Sequence, residues 1–127
     1  MPFKVIGDLY GATAGRPTPH RGLDFPTKAG SRIRSVEAGI VTANGWSDAL
    51  GNYIIVLDKG GIYWGFNHLL KPSKLKVNKL VRKGSSLGFV GSTGFASTGN
   101  HLHLTASKLP NGNFAGATLD PLKVLKG

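Results

Sequence analysis

Two histidines one residue apart, His101 and His103, and a histidine and an aspartate four apart, His20 and Asp24, are the residues here whose types and spacing could do chemistry. On an extended strand, side chains alternate faces, so His101 and His103 project to one side about 6.5 to 7 Å apart. The chain has four histidines in all. Two on one strand face, with a third in step with an aspartate, point to a metal site.

Catalytic zinc commonly takes three protein ligands from His, Asp or Glu, keeps a fourth position for water, and lowers that water's pKa to about 7. His20, Asp24 and one of the two strand histidines supply such a set. Residues four apart in a fully extended chain lie about 13 Å from each other, so the chain must curve there, and Gly22 permits it. The same donors could hold non-haem Fe(II) as a two-histidine, one-carboxylate triad, a reading that leaves His68 and one strand histidine without work. The H-E-x-x-H motif is absent, because the one glutamate, Glu37, has no histidine near it. Residues 84–88, Gly-Ser-Ser-Leu-Gly, match the nucleophile-elbow pattern in form only, since they lead into a strand rather than a helix.

Holding these side chains in place requires strands and turns. Nineteen glycines and seven prolines in 127 residues imply many turns and a mainly β, antiparallel architecture. A strand is predicted over residues 3–6, then a loop over 7–19 that delivers His20. Residues 32–36 and 39–43 read as two strands around a turn at 37–39, and residues 52–57 form the strongest strand pattern in the chain. Lys59-Gly60-Gly61 closes a hairpin into residues 62–68, with His68 at the strand's end. The segment 71–83 is too irregular for an amphipathic helix and reads as a loop with a short strand. A strand over 86–90 precedes the Gly- and Ser-rich loop 91–99, and the histidine strand follows it. Asp120 and Pro121 signal a short C-terminal helical turn, as N-cap and first helical residue.

Length places the whole of 1–127 in a single domain. Sixteen Lys and Arg against six Asp and Glu give a net charge of +10, densest at Lys71, Lys74, Lys76, Lys79, Arg82 and Lys83, which attracts polyanions. A nucleic-acid-binding protein would explain the charge but not the histidines, and the aromatics form no RNA-recognition pattern, so no specific nucleic-acid partner is expected. No apolar run approaches the length of a membrane span. Without cysteine, neither disulfides nor a thiolate-bound zinc site can form. Met1-Pro2-Phe3-Lys4 has no apolar core of signal type, so no secretory signal is expected. A monomer is expected.

Residues 20–25, 51–56, 63–69 (Tyr-Trp-Gly-Phe-Asn-His-Leu), 91–94 (Gly-Ser-Thr-Gly) and 101–103 occur in the order seen in lysostaphin-like zinc endopeptidases, and the resemblance spans about residues 18 to 121. It implies a compact antiparallel β domain of the duplicated hybrid motif, or barrel-sandwich, type with a substrate groove. The implied function is zinc-dependent hydrolysis of peptide cross-links or stem peptides of bacterial peptidoglycan. By this resemblance His20, Asp24 and His103 are the ligands of one Zn²⁺, and His68 and His101 are the catalytic pair beside it. A relative that had lost catalysis would act as a wall-binding or regulatory module, but such relatives characteristically lose ligands and all three are present. The family usually continues H-L-H with Phe-Glu, where this chain has Leu104-Thr105. Family members often place a transition-state tyrosine shortly before the first zinc histidine, a role that falls here on Tyr10, ten positions ahead of His20. A basic, signal-less catalytic domain resembles a phage endolysin held in the host cytoplasm until lysis. Its charge would serve to hold anionic envelope polymers or phospholipid.

Overall fold

The computed structural model describes residues 3, 6–13, 20–97, 99–115 and 118–125. Among these residues eight strands run in order: β1 (Leu23–Pro26), β2 (Arg32–Arg34), β3 (Gly39–Ser47), β4 (Gly51–Asp58), β5 (Tyr63–Leu69), β6 (Leu80–Val81), β7 (Ser86–Phe89) and β8 (His101–Ser107). Two one-turn helices, α1 (Gly112–Ala115) and α2 (Pro121–Val124), close the chain. Six strands form one sheet in the order β1-β8-β5-β4-β3-β6, and β2 pairs with β7 in a second; every pairing is antiparallel.

Period-2 alternation sorts the long sheet into two faces. Leu23 and Phe25 of β1, Ile54 and Val56 of β4, Trp64 and Phe66 of β5, and Leu102, Leu104 and Ala106 of β8 point inward. Ile33 and Leu87 of the small sheet, with Val36 and Val90, enter the same apolar cluster, so the two sheets share one core. Each large apolar side chain so buried contributes roughly 1.5 to 3 kcal/mol. The intervening residues Asp24, Asn67, His101, His103 and Thr105 therefore project from the outer face.

Local chemistry sets the hairpins. β4 carries the β-branched run Ile54-Ile55-Val56, favoured on a pleated surface. It ends at Asp58, whose Oδ1 accepts the N–H groups of Gly60 and Ile62 at 2.8 and 3.0 Å while Oδ2 accepts the indole N–H of Trp64 at 2.9 Å. Gly61, at φ 85°, takes the left-handed conformation that completes the turn. At the C-terminus Asp120 caps α2 by accepting the Leu122 N–H at 3.0 Å, with Pro121 following it into the helix as expected.

Three expectations need correction or restriction. Residues 32–34 and 39–43 do lie in strands, but they do not pair with each other: β2 joins β7, and β3 joins β4 and β6. Ser35 and Val36 are buried between them, and the Ser35 hydroxyl donates to the Glu37 carbonyl at 2.6 Å, which turns the chain from one sheet into the other. Of the strand expected at 3–6, Phe3 and Ile6 are outside any strand and residues 4 and 5 lie outside the described residues. In the 7–19 loop, positions 14–19 also lie outside them. The strand over Leu23–Pro26 is not legible in the sequence, because Gly22 and Pro26 bracket only three residues.

Candidate metal centre and its flanking histidines

Asp24 on β1 stands directly opposite His103 on β8, and both side chains leave the outer face. His20 arrives from the loop before β1, which is tied back by hydrogen bonds from the Gly11 N–H to the His20 carbonyl (2.7 Å) and from the His20 N–H to the Ala12 carbonyl (2.9 Å). Gly22 makes the bend between His20 and Asp24. A Cβ there would sit 2.5 Å from the Leu104 carbonyl oxygen and 2.7 Å from Cε1 of His103, so only glycine lets the chain pass this close to the imidazole.

The result is a triangle of donor atoms. Nδ1 of His103 is 2.9 Å from Oδ1 of Asp24, Nε2 of His20 is 3.2 Å from the same oxygen, and the two nitrogens are 3.1 Å apart. Nδ1 of His20 donates to the Leu9 carbonyl at 3.1 Å, which leaves the lone pair on Nε2 facing the other two atoms. Burial alone would push the Asp24 carboxyl up, but the His103 and His20 imidazoles beside it hold it well below the usual carboxylate range. Burial depresses the His103 pKa despite the opposing pull of Asp24, which favours the neutral imidazole.

Those observations test the fit of a metal. Three lone-pair donors this close repel one another unless a proton or a cation stands among them. Two neutral imidazoles and an ionised carboxylate are a zinc donor set, and tetrahedral coordination at ordinary bond lengths separates neighbouring ligand atoms by roughly 3.3 Å. The spacing here is within a few tenths of an ångström of that, so His20, Asp24 and His103 fit the group; they are also the one such cluster among the described residues.

His101 and His68 flank the triangle. Nε2 of His101 lies 3.7 Å from Oδ1 of Asp24, outside the close set, and its Nδ1 donates to the Gly99 carbonyl at 2.8 Å. The His68 ring centroid is 4.8 Å from that of His101 and 5.8 Å from that of His103. Burial lowers the His68 pKa to about 4, and the neighbouring histidines add to that against the hydrogen bond to the Thr93 carbonyl, so the ring is neutral at neutral pH.

His68 reaches this face through an irregularity in β5. Ile54 pairs with Phe66 and Asn52 with Leu69, so Asn67 and His68 together oppose Tyr53 alone. Such a bulge re-aims a side chain. Strict alternation from Trp64 and Phe66 would send His68 into the core; the extra residue, with His68 at φ 64°, turns it outward and returns Leu69 to full burial.

Tyr10, the expected transition-state tyrosine, has its hydroxyl 2.8 Å from the Thr118 carbonyl, to which it donates. A polar cluster not foreseen from the sequence lies behind His103. Asn67 and Asn113 exchange two amide hydrogen bonds of 2.9 Å, Asn67 also donates to the His103 carbonyl at 3.1 Å, and the Thr105 hydroxyl donates to Asn113 at 2.6 Å. The cluster pins α1 across β5 and β8, beside Thr105. Asn67 adjoins His68 in sequence, but nothing marked Asn113 as its partner.

A family model described as peptidase family M23 matches residues 18–121. The DD-carboxypeptidase/endopeptidase Mpg of Neisseria meningitidis is 37% identical over 87 residues, covering 68% of this chain and 20% of that protein. The peptidoglycan DD-endopeptidase ShyB of Vibrio cholerae is 34% identical over 89 residues, covering 70% and 20% respectively. The chain thus spans about a fifth of the length of these curated relatives. The crystallised catalytic domain of the antimicrobial peptidase lysostaphin from Staphylococcus simulans superposes with a TM-score of 0.83 at 29% identity, covering 97% of this chain and 92% of that one.

Proposed function

The chain belongs to peptidase family M23, and on that premise we propose that it is a zinc-dependent endopeptidase cutting peptide cross-links or stem peptides of bacterial peptidoglycan. The observation that carries the reading is the triangle of His20 Nε2, Asp24 Oδ1 and His103 Nδ1, with His68 and His101 poised beside it. ShyB, whose name specifies peptidoglycan, supports the substrate class.

His20, Asp24 and His103 would hold one Zn²⁺, which when bound acidifies water and polarises a carbonyl. The chain's own residues supply the proton handling. His68 and His101 each have Nδ1–H committed to a backbone carbonyl, at 2.7 and 2.8 Å, so in the neutral ring Nε2 is the basic atom. One of the pair takes the proton released as water adds to the scissile carbonyl, and a protonated imidazole returns a proton to the amine as the C–N bond breaks. The carboxylate of Asp24, its pKa held low, stays ionised throughout, with its Oδ1 3.7 Å from Nε2 of His101.

The net charge of +10 supports a finer proposal, that electrostatics keeps the protein on anionic wall polymers as a lytic enzyme of endolysin type acting on a target cell's wall. Purified protein should contain one zinc per chain and clear a suspension of purified cell walls, with clearing abolished by a chelator and slowed as ionic strength rises through the physiological range. Protein that binds no zinc, or walls left intact by zinc-loaded protein, would sink the endopeptidase reading. Clearing indifferent to salt would sink the electrostatic one alone.

A further inference from the structure

Just past the bulge that brings His68 onto the outer face, Asn52 of β4 stands opposite Leu69 of β5, and its side-chain amide donates to the Leu69 carbonyl at 3.2 Å. Thr93, from the Gly-Ser-Thr-Gly loop, bridges the same pair. Its hydroxyl accepts the Asn52 N–H at 3.1 Å and donates to the Leu69 carbonyl at 2.6 Å. Its own carbonyl accepts the Nδ1–H of His68 at 2.7 Å. Two further bonds hold the bulged residue, from the His68 N–H to the Leu50 carbonyl (2.8 Å) and from the Gly91 N–H to the His68 carbonyl (3.1 Å). Gly51, at φ 69°, has no room for a Cβ against Thr93, so β4 and the loop are in close contact at this point.

We propose that Thr93 is the positioning residue for His68: its hydroxyl ties the two strands together beside the bulge, and its carbonyl keeps the imidazole in the Nδ1–H tautomer with Nε2 directed toward His101 and His103. A left-handed backbone at a non-glycine residue costs free energy and persists only where its surroundings hold it. Here one threonine supplies both the support for that backbone and the orientation of the ring. The side-chain hydroxyl and the main-chain carbonyl act on successive residues, Leu69 and His68, so they fix the direction of the strand and the rotation of the ring together. The kinetic consequence rests on the endopeptidase reading; the effect on the ring does not.

Thr93→Val removes the hydroxyl at nearly constant volume and keeps the carbonyl, whereas Thr93→Ser keeps both. Nitrogen-15 spectra of histidine-labelled, zinc-loaded protein report which ring nitrogen of His68 carries the proton. The wild type should show the Nδ1–H tautomer at His68, Thr93→Val a mixture of tautomers, and Thr93→Ser the wild-type pattern. In wall hydrolysis Thr93→Val should lower kcat about tenfold or more, part of what a well-placed base supplies, with KM and zinc content unchanged and kcat largely restored in Thr93→Ser. An Nε2–H tautomer in the wild type would overturn the proposal, as would a Thr93→Val protein with wild-type spectrum and kcat. Should Thr93→Val fail to fold, the wild-type tautomer decides. If zinc-loaded wild type leaves walls intact, the endopeptidase reading falls while the His68 spectrum still tests this one.

Discussion

Asp24 and His103 are direct cross-strand neighbours of β1 and β8, with 2.9 Å between Oδ1 and Nδ1. The pairing register itself therefore places two of the three candidate ligands, and only His20 depends on a loop. His103→Ala should lose zinc outright, because two donors do not complete a structured tetrahedral site. Metal content by atomic emission after dialysis checks this; a variant that retains stoichiometric zinc would show that His103 is not a ligand.

His101→Ala and His68→Gln should keep their zinc and lose activity. Each removes an imidazole whose Nε2 is the basic atom, a role worth roughly 10²- to 10⁴-fold in rate. Wall-clearing rates at matched zinc content provide the measurement. Activity within a few-fold of wild type in both variants would remove the pair from the reaction.

The buried His68 should make the fold acid-sensitive. Its pKa is 6.5 in the unfolded reference and about 4 in the folded protein, so between those values the unfolded chain holds a proton that the folded one does not. Stability from this group is complete above pH 6.5 and is lost as pH falls toward 4, amounting to about 3 kcal/mol over the window. Denaturant titrations of chelator-treated wild type and His68→Gln at pH 4.5 and 7 should show a smaller pH dependence in the variant. Catalysis should keep His68 unprotonated down to the same low range, so an acid limb near pH 6.5 in the activity profile must come from another group.

Gly22→Ala should damage both stability and metal binding. The added methyl meets a backbone carbonyl and the His103 ring. Overpacking of this kind costs about 1 to 3 kcal/mol, and the displaced group is a candidate ligand. A lower melting temperature with weaker zinc affinity in competition with a chromophoric chelator is the expected result; unchanged values of both would show that the bend has slack.

Asn113→Ala should destabilise without abolishing activity. It removes the donor to Oδ1 of Asn67, a fully buried residue, and an unsatisfied buried polar group costs about 1 to 3 kcal/mol. Urea midpoints read this directly, and wall clearing should persist because the histidine face keeps its own supports.

Much of the site was legible because strand alternation is local. His101 and His103 on one face follow from spacing alone, and β4, the 59–61 turn and the Asp120 cap were readable for the same reason: each depends on residues within a few positions of one another. Composition carried the mainly β class through glycine and proline. The resemblance implies unequal roles for His101 and His103, whose ring nitrogens lie 3.7 and 2.9 Å from Oδ1 of Asp24.

What only the tertiary structure decided are the long-range partners. Residues 32–34 and 39–43 look like a hairpin locally, yet they pair with β7 and β4 because both the small sheet and the large one must cover the same core. The bulge at His68 breaks the period-2 pattern that sequence reasoning relies on, and it is stabilised by Thr93, 25 positions away. Asn113 meets Asn67 across 46 positions. Spacing along the chain determined which side chains could share a face; register between distant strands determined which of them meet, since that depends on how the whole core is filled.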